Sequence, residues 1–150
     1  MLMVQNMAAI LIGLSTCGLP LFSNAQKAAY NIQNGYVAKG YDLVEYFNHH
    51  AVPGDNRYTY AYDGADFRFS NVENLHKFKS DPVRYIPQYG GWCAYGMATN
   101  GKRYGIDPTA FEIRDGKLFL FYNNFIFNAQ DRWLIDPKKS MEKADSLWRK

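Results

Sequence analysis

Cysteine is scarce in this chain. Its 150 residues contain two, Cys17 and Cys93, which excludes both a disulfide framework and a multi-cysteine zinc site. Histidine is nearly as rare, with His49, His50 and His76 the full set. Basic residues gather into no run and the formal net charge is +3, too weak a field to argue for nucleic acid. Apolar runs are short: Met7–Leu14 is followed by Gly18 and Pro20, so no stretch reads as a membrane span. The G-x-S-x-G elbow, the phosphate-binding loop, the dinucleotide glycine pattern and the zinc-protease motif are all missing. No enzyme class is therefore written in the sequence.

Aromatic side chains are what the chain has in excess. Tyr, Phe and Trp make up 17% of it, within an apolar fraction of 47% and a charged fraction of 21%. That composition builds one domain of ordinary size, with many Tyr and Trp at half-buried positions where an apolar ring and a polar handle are both useful.

Residues 1–25 contain no Asp, Glu, Lys or Arg. A polar start, the apolar Met7–Leu14 and the small residues of Ser23-Asn24-Ala25 form the pattern of a cleavable secretory signal. The expectation is an exported protein, periplasmic or secreted, with a mature chain starting near Gln26. Leu14-Ser15-Thr16-Cys17 resembles a lipoprotein box, but Thr16 is a poor residue there and lipidation at Cys17 is the weaker reading. After cleavage Cys93 is the single thiol.

Residues 26–39 show no sustained period and read as an extended arm; residues 40–150 read as the domain. Leu43, Val44 and Phe47 share one face of a short helix, with Asp42 at its positive end. Arg57–Tyr62 alternates and Asp63-Gly64 turns it back into Asp66–Ser70, a β-hairpin. Ser70 and Glu73 have the capping-box spacing for a helix carrying Leu75 and Phe78, and Asp81-Pro82 opens another short one. Phe111–Arg114 and Lys117–Tyr122 flank Asp115-Gly116 as a second hairpin. Asn123–Leu134 and Pro137–Trp148 read as closing helices. The fold class is α+β: a small single domain with two β-hairpins packed against short helices.

Several stretches together resemble the small secreted YHS domain proteins. They are Gly40-Tyr41-Asp42-Leu43-Val44-Glu45-Tyr46-Phe47, the segment from Tyr58 to Tyr85, Pro87-Gln88-Tyr89-Gly90-Gly91-Trp92-Cys93-Ala94, Asp115-Gly116-Lys117-Leu118, and Lys143-Ala144-Asp145 with Trp148. The resemblance covers nearly all of the mature chain and implies a YHS-like domain. Metal binding is what the related cysteine-bearing modules imply. There a strand ends in Phe-Cys and a second cysteine follows four residues later; here those places hold Phe69-Ser70 and Asn74, and a further cysteine corresponds to Glu45. Neutral Ser and Asn oxygens do not hold the soft or borderline metals that thiolates hold.

Cys93 is the leading candidate site residue. It follows Gly90-Gly91 and is expected in the first turn of a helix, a setting that favours a nucleophilic or metal-binding thiolate; the competing expectation is a small buried packing residue between Trp92 and Tyr95. A metal site would join Cys93 with His76 and Asp42 in a mixed sulfur, nitrogen and oxygen set suited to a transition metal such as copper. Each has a plainer role as well, His76 as a solvent-facing helical residue and Asp42 as a helix cap. His49-His50 reads as loop polarity, and Tyr58, Tyr60 and Tyr62 as half-buried strand residues or an aromatic surface. The functional expectation is a domain binding a metal ion or small ligand near Cys93. Two alternatives stand beside it: a thiol-dependent redox protein or enzyme, and a structural or protein-interaction module with no ligand.

Overall fold

Residues 29–150 are described by the computed structural model; the expected leader and Cys17 lie outside them. The described residues open with a hairpin that the periodicity does not announce. Strands β1 (Ile32–Gln33) and β2 (Tyr36–Val37) pair antiparallel. Between them Asn34 and Gly35 both take positive φ, 56° and 83°, the conformation that a two-residue type I′ turn demands. Part of the expected extended arm is thus a hairpin whose strands are too short to show alternation.

The two expected hairpins are present. β3 (Asp55–Tyr62) pairs with β4 (Ala65–Phe69) across Asp63-Gly64, and β5 (Asp107–Arg114) pairs with β6 (Lys117–Phe121) across Asp115-Gly116. Both β3 and β5 begin earlier than alternation suggests, because each carries a register shift near its start. In β6 Leu118, Phe119, Leu120 and Phe121 are all buried, so the strand reads as a continuous apolar run. On β3, Tyr58, Tyr60 and Tyr62 are half-buried, two of them edge-on to Phe78.

Among the described residues there are six α-helices: α1 (Leu43–Tyr46), α2 (Val72–Ser80), α3 (Pro82–Tyr85), α4 (Ala94–Asn100), α5 (Ala129–Trp133) and α6 (Pro137–Trp148). Two boundaries differ from expectation. Asn71, not Ser70, caps α2 by accepting from the Asn74 backbone N–H at 2.8 Å, since Ser70 is engaged elsewhere. The helix expected from Asn123 begins only at Ala129. Asn124 Oδ1 accepts from the backbone N–H groups of Ile126 and Phe127, and Asn128 caps α5. Asparagine side chains offer the backbone an alternative to the helix, and here the alternative wins.

The core is aromatic. Phe78 of α2 lies 4.8 Å from Phe67 and 5.0 Å from Phe69 between ring centroids. Trp133 of α5 sits on Phe119 and Phe121 at 5.1 and 5.5 Å, and its indole N–H donates to Glu112 Oε2. Tyr89 donates its hydroxyl to Asp145 on α6; burial first, then that bond, pushes the phenol above its usual range. The result is a small single α+β domain of short helices and antiparallel hairpins.

Candidate functional site

Gly90 and Gly91 take positive φ, 62° and 83°, in a tight turn that includes Tyr89. The turn is fastened to the start of the described chain. Asn31 N–H donates to Gly90 O, the Asn31 side-chain amide donates to Gly91 O, and the Trp92 indole donates to Ala29 O at 2.8 Å. A Cβ on Gly90 would stand 2.8 Å from that same Ala29 oxygen. Glycine is required here for close approach as well as for φ.

The turn delivers Cys93 to the start of α4, where it is the N-cap rather than a first-turn residue. Its Sγ accepts from Gly96 N–H at 3.5 Å and from Tyr122 N–H, just past β6, at 3.3 Å. The residue is only 2% exposed, yet it lines a cleft of about 460 Å³. Aromatic side chains form the walls: Tyr95 on α4, Tyr104 after it, Tyr122 after β6, and Phe127 in the loop before α5. Tyr95 and Phe127 lie 6.0 Å apart between ring centroids, tilted by 42°. Gly96 lets Tyr104 in, since a Cβ there would meet the Tyr104 ring at 2.3 Å. Volume and apolar character are those of a small-molecule site.

The other two candidate residues stand apart from this cleft. Asp42 is fully buried and its two carboxylate oxygens are taken up by hydrogen bonds. Oδ1 accepts from Val44 N–H at 2.9 Å; Oδ2 accepts from Ser70 N–H and Ser70 Oγ, both at 2.7 Å, and from Asn74 Nδ2 at 2.8 Å. The same amide donates to Glu45 Oε1 at 2.6 Å. Asp42, Ser70, Asn74 and Glu45 thus form a hydrogen-bonded carboxylate, hydroxyl and amide set, whose oxygen and amide groups do not fit a thiophilic metal. His76 is exposed on α2, and His49 and His50 are exposed after α1. Among the described residues no three His, Cys, Asp or Glu side chains form a group that could hold a metal ion, so Asp42, His76 and Cys93 are not gathered into one set.

The cleft walls escape sequence reasoning. Tyr95, Tyr104, Tyr122 and Phe127 come from different segments, and the aromatic excess is the single signal that bears on them. Comparison with family models, curated proteins and solved structures finds no match. Among the described residues no helix is long and apolar enough to cross a membrane.

Proposed function

We propose that this chain is an exported, YHS-like α+β domain that binds a small molecule in the cleft over Cys93. The observation that carries the reading is the cleft itself, about 460 Å³, with a thiol in its wall and aromatic rings around it. A small molecule suits it better than a metal ion such as copper, because its lining holds one sulfur and no His, Asp or Glu. The charge-free leader ending in Ser23-Asn24-Ala25 supports export, and the block from Gly90 to Ala94 supports the YHS likeness.

The test is a fragment screen by protein-observed NMR on the chain from Gln26. Binding fragments should shift the resonances of Tyr95, Gly96, Thr99 and Tyr122, and Thr99→Trp, which puts an indole into the cleft, should abolish those shifts. Fragments that perturb no cleft residue, or that bind Thr99→Trp as well as the parent, would overturn the reading.

A further inference from the structure

The walls of the cleft define a ligand class, an inference that rests on the small-molecule reading above. Charge is the first discriminator. The lining contains no Asp, Glu, Lys, Arg or His. An ionised ligand would leave water for this surface without a counter-charge, which is costly. Shape is the second. Tyr104 is 43% exposed, and Tyr122 and Phe127 each 37%, so each ring keeps an uncovered part. Exposed ring surface meeting at a common volume favours a flat π-system, which can stack or meet the rings edge-on.

Hydrogen bonding is the third discriminator. The Tyr104 hydroxyl oxygen accepts from Asn100 Nδ2 at 3.1 Å, and the Tyr122 hydroxyl oxygen accepts from Asn124 Nδ2 at 2.7 Å. A phenol is both donor and acceptor. With each oxygen oriented by an asparagine amide, each O–H is left to donate. Two phenol donors at the exposed rim of an aromatic cleft ask for an acceptor oxygen on the edge of the ligand. Putting the three together, we propose that the cleft takes a neutral, planar, conjugated ring system bearing a carbonyl oxygen at its edge.

Four probes of similar size separate these requirements: coumarin, which has all of them; coumarin-3-carboxylate, which adds a charge; octahydrocoumarin, which keeps the carbonyl but loses planarity; and naphthalene, which keeps planarity but loses the acceptor. Titrations followed by NMR on the full mature chain should rank coumarin first, with octahydrocoumarin weaker by about two- to tenfold for lost ring contacts and the carboxylate weaker by about tenfold or more. The double variant Tyr104→Phe, Tyr122→Phe should weaken coumarin by about tenfold for the two lost donors and leave naphthalene unchanged. If the carboxylate or the saturated analogue binds in the cleft as tightly as coumarin, the ligand class is overturned while the small-molecule reading stands. Equal coumarin affinity in the parent and the double variant overturns the carbonyl requirement. If neither these probes nor any screened fragment moves a cleft resonance, the small-molecule reading fails and the class falls with it.

Discussion

Asp42 accepts four hydrogen bonds on the two oxygens of a fully buried carboxylate, the most of any side chain among the described residues. It caps α1, holds the end of β4 through Ser70, and reaches α2 through Asn74. Hydrogen bonds to this one carboxylate link the three elements. Asp42→Ala would strand the Val44 and Ser70 N–H groups and one Asn74 amide hydrogen without their acceptor. Breaking such a buried network is expected to cost about 3 kcal/mol of stability, read from urea unfolding of the variant and the parent. A loss below about 1 kcal/mol, the ordinary cost of a single cap, would show that the carboxylate is no more than a helix cap.

At the scale of elements, the turn before α4 decides where Cys93 sits. Two glycine substitutions separate close approach from backbone strain. Gly90 has φ of +62° and a Cβ there meets backbone at 2.8 Å, whereas Gly116 in the β5–β6 turn has φ of +70° with nothing within 4 Å. Gly116→Ala should therefore cost about 1 kcal/mol, from conformation alone. Gly90→Ala should cost at least about 2 kcal/mol, because the link to Ala29 must give way as well. Equal losses in thermal or urea unfolding would mean that the Ala29 contact yields without resistance. The contrast bears on what the sequence makes legible. Asp63-Gly64 and Asp115-Gly116 announce hairpins because strands of five to eight residues rich in apolar side chains flank them, while Asn34-Gly35 carries the same turn chemistry with two-residue strands on either side. Ser70 and Glu73 have the right spacing for a cap, but a buried carboxylate from another element takes the serine. Cys93 stands out beside its glycines; the rings around it do not, because tertiary packing alone brings Tyr104 onto Gly96 and Tyr122 toward Cys93.

At the scale of the whole molecule, cohesion comes from packed aromatic rings joined to short helices, with Phe78 and Trp133 as the hubs. Among the described residues no metal-holding group contributes to it. Incubation of the chain from Gln26 with a strong chelator is expected to leave its thermal midpoint unchanged, in contrast to small domains that unfold when their zinc is removed. A large fall in the midpoint, restored by adding back a divalent metal, would show that an ion is part of the fold.

The stitching of Ala29 and Asn31 to Gly90, Gly91 and Trp92 also sets an order in time. The contacts span 60 to 63 positions of sequence, so a chain that emerges amino end first presents one half of the joint well before the other. At a synthesis rate of about 5 to 20 residues per second, that delay is about 3 to 12 s. Throughout it Ala29 and Asn31 lack their partners in the glycine turn. Once Trp92 arrives and its indole takes the Ala29 carbonyl, the start of the described chain is moored. Closure of this joint is thereby made a late event, set by the arrival of the turn and not by the strands and helices that precede it.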